Sequence, residues 1–457
     1  MSHKMFTGLL FLFATSVRAQ SDDSLMIRKL ADEILVNGKA YENLRTLTKQ
    51  VGGRIAGSPQ MVKAEKWGER ALKTAGADNV WMQECMVPHW IRGGQDEAYF
   101  TATHNRKHQK IDILALGNSV GTGANGLKAP VILINNFSEL EMRKNEVKGK
   151  IVFYNYKFNE RFINTFQSYG DAGVYRGSGP SWAAKYGAVG ALVRSMSHAT
   201  DNSPHTGAMN YNDSFPKIPA AAIGLIDADL LEASLLKDDN TVVFLRTLGR
   251  MMPDTIGHNV IGEWKGSEFP DRIITIGGHL DSWDPAEGAH DDGAGCVHSI
   301  EVLRALKAIG YKPKNTIRVV LFANEENGLR GGNKYALEAR EKGEQHIFGL
   351  ESDAGGFTPR GFGFTVTAAQ MAKIKNWLPL FNPYGVFEFT EGGGGADIGP
   401  LNKLFKTPLA GLQPDSQRYF DIHHARTDTF EAVNKRELQL GAINMAALIY
   451  LVDKYGL

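Results

Sequence analysis

Between residues 250 and 457 the chain alternates short β-branched runs with amphipathic stretches, and this alternation limits its fold more than any other feature. Ile273-Ile274-Thr275-Ile276 runs into Gly277-Gly278-His279. Val297, Ile300, Leu303, Leu306 and Ile309 then recur at helical spacing. Ile317-Arg318-Val319-Val320-Leu321-Phe322 is the next strand and stops just before Glu325. A helix is predicted over roughly 329–342. A further strand over 346–350 ends short of Asp353. Strand–helix alternation of this kind predicts an α/β fold, with a mostly parallel sheet and helices on both faces. His279, Glu325-Glu326 and Asp353 then all fall just past the C-terminal ends of separate strands, the edge where open α/β sheets bind ligands.

The residue types at that edge specify a chemistry. Zinc takes imidazole nitrogen and carboxylate oxygen, and its catalytic sites keep a position open for water. Two such ions need about five protein ligands when one carboxylate bridges them. His279 and His424 supply imidazoles, and Asp291, Glu326 and Asp353 supply carboxylates. Asp291 is the candidate bridge, with Gly293 and Gly295 allowing close backbone packing beside it. Asp281, two residues after His279, suits the role of holding the imidazole tautomer. Glu325 is left free as a general base. This set reads as a metal-assisted hydrolytic site for amide bonds without a covalent intermediate. The segment has no Gly-x-Ser-x-Gly elbow to support a serine mechanism.

Residues 118–247 differ in texture. Val131-Ile132-Leu133-Ile134, Ile151-Val152-Phe153-Tyr154 and Ala191-Leu192-Val193 are short β-rich runs. No catalytic cluster is legible there, and His198 and His205 read as solvated residues of a polar loop. The segment is expected to be an inserted, non-catalytic domain. It divides the peptidase domain into an N-terminal part, 46–117, and a main catalytic part, 248–457. Residues 20–45 carry Ile27, Leu30, Ile34 and Leu35 at helical spacing, and read either as the first helix or as a removable pro-segment. The glycine run Gly392 to Gly395 reads as a mobile loop near the pocket.

The N-terminus has a signal-peptide pattern over residues 1–19. Lys4 precedes a short apolar run, and Val17-Arg18-Ala19 offers a cleavage site. No later segment offers the roughly 18 uninterrupted apolar residues of a membrane span. Sequons at Asn136 and Asn212 fit a secreted glycoprotein. The expected destination is the extracellular space or, by the same route, a lysosome. With 51 basic and 50 acidic residues and no basic block, a nucleic-acid partner is not expected. Only Cys85 and Cys296 occur, which excludes a disulfide scaffold, and both are expected as buried free thiols.

Several strings together resemble the co-catalytic di-zinc aminopeptidase and glutamate carboxypeptidase family. They are Gly277-Gly278-His279-Leu280-Asp281-Ser282, Asp291-Asp292-Gly293-Ala294-Gly295, Glu325-Glu326-x-Gly328-Leu329, Asp353 and His424-x-x-x-Asp428. The resemblance implies a phosphorylase/hydrolase-like zinc exopeptidase sheet, with a protease-associated β-rich domain inserted at 118–247. It implies two Zn²⁺, with Glu325 as base and Glu326 as ligand. Its acidic residue four positions on selects His424 over His423. It also implies unblocked dipeptides and short peptides as substrates, and a homodimer. An aminopeptidase of the same fold is the nearest alternative. A glutaminyl-cyclase-like transferase and a non-catalytic scaffold are more distant ones, since His279 and the other ligand positions are all filled.

Overall fold

The structure, a computed structural model, describes residues 22–102 and 105–457. The signal-peptide reading, residues 1–19, lies outside the described residues. Two eight-stranded sheets organise the chain, and both are mixed. At the centre of the first, Asn315–Phe322, Phe269–His279, Gln345–Glu351 and Leu409–Pro414 lie side by side and parallel. Antiparallel pairing brings Asn79–Ile91 and Arg250–Trp264 onto one flank and Pro359–Thr365 onto the other, where Glu388–Glu391 then adds in parallel at the edge. The expectation of a mostly parallel sheet therefore holds for its centre and gives way at its margins.

Side chains alternate across the strands. In Asn315–Phe322, Ile317, Val319 and Leu321 enter one core, and Val320 and Phe322 enter another on the opposite face. The first core is covered by the helices Ala40–Gln50, Pro59–Ala75, Ala294–Ala308 and Lys435–Tyr455. Arg330–Lys342 and Gly399–Phe405 cover the second. Both faces are thus clothed in helix, which explains why the central strand is apolar on both sides. The helix Pro59–Ala75 begins as its sequence dictates. The Ser58 side chain accepts from the Met61 N–H, Pro59 occupies the first turn, and Gly76 ends it in the left-handed region.

A helix over 22–37 packs into the first core. Ile27, Leu30 and Ile34 are fully buried. Asp23 accepts from Tyr450, Lys454 and Tyr455 at 2.7, 2.5 and 2.8 Å. Burying three such aliphatic side chains contributes about 4–9 kcal/mol, comparable with the whole net stability of an ordinary domain. Deleting residues 22–37 is therefore expected to abolish cooperative thermal unfolding or solubility. A truncated protein that melts as sharply and as high as the full chain would show this helix to be a detachable pro-segment.

The second sheet runs Asn105–Ile111, Glu97–Ala102, Val242–Arg246, Leu127–Ile134, Ile151–Tyr154, Gly190–Arg194, Ala220–Ile223, Ile113–Ala115. Three of its strands precede residue 118, so the sheet takes in more chain than the texture of the sequence indicated. Asn136 caps the helix Phe137–Met142 through its side-chain oxygen, and Asn212 is exposed. Cys85 and Cys296 are buried free thiols. Among the described residues no helix is long and apolar enough to cross a membrane.

Candidate metal centre

His279 is the last residue of its strand, Glu325 lies three residues past Phe322, and Asp353 lies two past Glu351. The parallel strands therefore deliver an imidazole and three carboxylates, those of Glu325, its neighbour Glu326 and Asp353, to one edge. Asp291 reaches them from the segment between the strand Phe269–His279 and the helix Ala294–Ala308. Glycine permits that approach. A Cβ on Gly278 would lie 2.3 Å from an Asp292 carboxylate oxygen, and one on Gly295 would lie 1.8 Å from the Ser352 carbonyl. Asp292 accepts the N–H groups of His279 and Gly295 at 3.0 and 2.9 Å, which pins this segment to the strand end.

The side chains converge closely. His279 Nε2 lies 3.2 Å from Asp291 Oδ1 and 3.4 Å from Asp353 Oδ1. His424 Nε2 lies 3.2 Å from Asp291 Oδ2 and 3.1 Å from Glu326 Oε2. Asp291 thus stands between the two imidazoles, one oxygen toward each. Glu325 lies further out, with Oε2 4.0 Å from His279 Nε2. His423 stacks on His424 at 3.6 Å between ring centres, and its Nε2 is 3.5 Å from Asp291 Oδ2. All seven residues read from the sequence lie in this cluster, and His423 joins them.

Asp281 meets His279 through its backbone carbonyl, which holds the imidazole tautomer, while its carboxylate has a second task. His279 Nδ1 is 3.0 Å from the Asp281 backbone carbonyl but 3.7 Å from its carboxylate. The carboxylate instead accepts the Glu325 and Glu326 N–H groups at 3.0 and 3.3 Å. It fixes the turn carrying both glutamates. Asp428 does the same for the neighbouring segment, accepting from His290 N and Asp291 N at 2.8 and 3.1 Å. His290 is structural: its Nδ1 accepts from Gly356 N at 3.0 Å and its ring stacks on Phe357.

The electrostatics are those of a crowded anionic cluster. Burial, then the Asp291 charge, pushes Glu326 up to about 7. Burial, then the charges of Asp353, Glu326 and Asp281, holds Glu325 well above the usual range against the pull of His279. Burial also opposes charge on His279, but Asp353, Asp281 and Asp291 outweigh it and raise its pKa well above the ordinary value. Asp291 is held well below its usual range, because the imidazoles of His279 and His424 beside it overcome burial. Asp291 Oδ2 and Glu326 Oε1 are buried without a hydrogen-bond partner. A cation between these oxygens would satisfy both of them.

Segment 118–247 reaches into this site, which its sequence did not reveal. Thr206 N donates to the His424 carbonyl at 3.0 Å, and His424 Nδ1 lies 3.3 Å from the Thr206 carbonyl. His205 is buried, not solvated, with Nδ1 2.7 Å from the His423 carbonyl. A pocket of about 200 Å³ opens over the cluster. Phe166, Tyr169, Arg176 and Ala208 of that segment line it beside Asp291, Glu325, Glu326 and Asp353. The run Gly392 to Gly395 is not a free loop. A Cβ on Gly395 would lie 1.9 Å from the Glu351 carboxyl carbon, and one on Gly393 would lie 2.5 Å from Gly363 backbone.

The sequence profile of peptidase family M28 matches residues 259–449. Carboxypeptidase Q of Mus musculus is 34% identical over 414 residues, covering 91% of this chain and 85% of that protein. Carboxypeptidase Q of Homo sapiens is 34% identical over 430 residues, covering 93% and 88%. Among solved structures, a peptidase M28 precursor from Shewanella amazonensis superposes with a TM-score of 0.90 at 33% identity, covering 95% of this chain and 97% of that one. The fold is shared more distantly with a zinc aminopeptidase of Bacillus subtilis, at a TM-score of 0.64 and 20% identity, covering 91% and 95%. With a fold, a strand-edge cluster and full-length relatives in agreement, the chain belongs to peptidase family M28.

Proposed function

We propose that the protein is a di-zinc exopeptidase acting on unblocked dipeptides and short peptides. The observation that carries this reading is the placement of Asp291 between His279 and His424, with Asp353 and Glu326 beside them and two carboxylate oxygens unpartnered. The donor set fits zinc, being two imidazoles and three carboxylates. His279, Asp291 and Asp353 would hold one ion, and Asp291, Glu326 and His424 the other. Two zinc ions held there polarise a scissile carbonyl and lower the pKa of water toward neutrality.

Glu325 takes the proton of the attacking water and returns it to the leaving amine. It is suited to this because its carboxyl lies at the pocket and outside the ligand set. Burial and the charges of Asp353, Glu326 and Asp281 raise its pKa, which makes it a stronger base than an exposed glutamate. Asp281 holds Glu325 in place through the backbone N–H it accepts. The pocket, at about 200 Å³, lies below the roughly 300–1,000 Å³ of drug-sized sites, and this supports small substrates. The leader pattern and the exposed Asn212 support secretion as a glycoprotein, with Asn136 the second sequon. Exposed Met86 and its exposed cross-strand partner Ile256 form a small apolar patch that a second copy of the chain would cover in a homodimer.

The metal reading has a consequence for stability. Glu326, Glu351 and Asp428 are each pushed up to about 7 by burial, so in the metal-free native state they keep protons that the unfolded chain releases. Stability contributed in this way falls as pH rises through 7. The buried neutral histidines His205, His290 and His298, held down to about 4 by burial, act in the opposite sense only below about 6.5. Chelated protein is therefore expected to melt at lower temperature at pH 8 than at pH 6.5, and zinc to raise Tm most at pH 8. Scanning calorimetry with and without chelator measures both. A chelated Tm that climbs from pH 6.5 to 8 contradicts the assignment.

Hydrolysis of a matched peptide panel tests the function. Free dipeptides, N-acetylated forms and C-amidated forms are offered with chelator and after zinc restoration. The expected result is chelator-sensitive cleavage that needs both free termini. Cleavage that tolerates amidation but not acetylation makes the protein an aminopeptidase. A zinc-loaded, folded protein that cleaves none of them is not a peptidase of short peptides.

A further inference from the structure

The backbone at His424 is one that a histidine seldom adopts. Ile422, His423, His424 and Ala425 form a tight turn, closed by the Ala425 N–H donating to the Ile422 carbonyl at 3.0 Å. His423 has φ −53° and ψ 124°, and His424 has φ +60°. These are the angles of a type II turn, whose third position belongs by preference to glycine or asparagine. A histidine there crowds its own Cβ against the backbone. The type I turn, with φ of about −90° at that position, suits it better. The two turns differ by a flip of the peptide between their central residues, so the direction of the His423 carbonyl decides between them.

What fixes that carbonyl comes from segment 118–247. His205 Nδ1 lies 2.7 Å from the His423 carbonyl oxygen. A carbonyl only accepts, so Nδ1 carries the proton. The other ring nitrogen, Nε2, is buried with no partner. An apolar side chain would fill this space without that cost, so the Nδ1 donor is what an imidazole adds here. The donor is held from behind. His205 N donates to Ser195 Oγ at 2.9 Å, and Ser195 Oγ donates to the Ile223 carbonyl at 2.8 Å, where two strands of the second sheet end. Thr206 N then meets the His424 carbonyl at 3.0 Å. A Cβ on Gly207, whose φ is +126°, would come within 2.6 Å of His424 Nδ1, so glycine permits this approach.

His279 has no such dependence. Its Nδ1 meets the Asp281 carbonyl two residues on, and its Nε2 faces Asp291 and Asp353 at the edge of the first sheet.

We propose that His205 is a positioning residue for the second metal ion. Its N–H holds the His423–His424 peptide in the type II orientation, and this delivers His424 Nε2 to Asp291 and Glu326. This rests on the two-ion reading given above. It makes the two ions unequal, because only the second depends on segment 118–247.

Calorimetric zinc titration of the chelated full chain tests this with two variants. H205F removes the donor, and H205N can place an amide nitrogen where Nδ1 stands. In H205F the second equivalent is expected to bind about 10–100-fold more weakly, the range for a lost supporting partner of a ligand, while the first stays within about threefold. H205N recovers most of the loss. The Tm of each metal-free form reports on folding. H205Q, whose amide nitrogen reaches past the Nδ1 position, takes the place of H205F if that variant does not fold. The turn itself is read in crystal structures of the metal-free variants, with the type II turn expected in H205N and the His423 carbonyl turned away in H205F. An undiminished second equivalent in H205F, an equal weakening of both equivalents, or no recovery in H205N overturns the proposal. If the parent takes up only one equivalent, the two-ion reading falls by itself, and the turn decides for His205: a type II turn kept in H205F overturns its role.

Discussion

Replacing Glu325 with glutamine is expected to lower kcat by about 10²–10⁴-fold, the range of a lost general base. Zinc content and KM should stay close to those of the parent. The side chain is isosteric and lies outside the cluster that would hold the ions, with its nearest imidazole contact at 4.0 Å. The backbone N–H that Asp281 accepts is retained in the variant. What disappears is the ability to take and return a proton. A variant that keeps more than a tenth of the parent kcat would remove Glu325 from the mechanism.

Replacing Asp291 with alanine should act through a different route. Its two oxygens lie 3.2 Å from His279 and 3.2 Å from His424, so one truncation strips a partner from each imidazole. We expect loss of at least one zinc per chain, and a fall in kcat/KM of more than about 1,000-fold because polarisation of the carbonyl is lost with the ion. Tm should fall as well, since the folded state then lacks the stabilisation of bound metal, which is worth about 4 kcal/mol at a thousandfold excess over Kd. The pair of variants is diagnostic. E325Q keeps its metal and loses turnover, and D291A loses both. Metal analysis with steady-state kinetics on the same preparations distinguishes them. A D291A protein with full zinc content would contradict the bridging assignment.

The part of this site that was legible in the sequence is the part set by strand ends. A β-branched run that stops at a polar residue places that residue at a sheet edge, and His279, Glu325 and Asp353 could be placed in this way. What stayed hidden depends on contacts between segments far apart in the chain. Arg176 and His424 are 248 residues apart, and His205 and the His423 carbonyl are 218 apart. No periodicity records such a meeting. His198 and His205 share one polar stretch, yet only His205 is buried, because segment 205–207 packs against His423 and His424.

Asp281 and Asp292 show a related limit. Spacing placed Asp281 beside His279, but it could not say which donors its carboxylate would meet, and the backbone of Glu325 and Glu326 met it first. Asp292 was legible in the sequence only as part of a motif, although it holds His279 N and Gly295 N together. The run Gly392 to Gly395 was read for flexibility, whereas two of its glycines are explained by close approach to Gly363 and Glu351. Glycine serves both ends, and only the neighbouring atoms tell which.

The most direct test of the account is a zinc titration of chelated, folded protein, with bound metal and hydrolysis of a free dipeptide followed together. The account predicts that metal binds to two equivalents per chain and that hydrolysis, absent without metal, reaches its full value only as the second equivalent is taken up. Saturation at one equivalent with full activity, or hydrolysis by the metal-free protein, would contradict it.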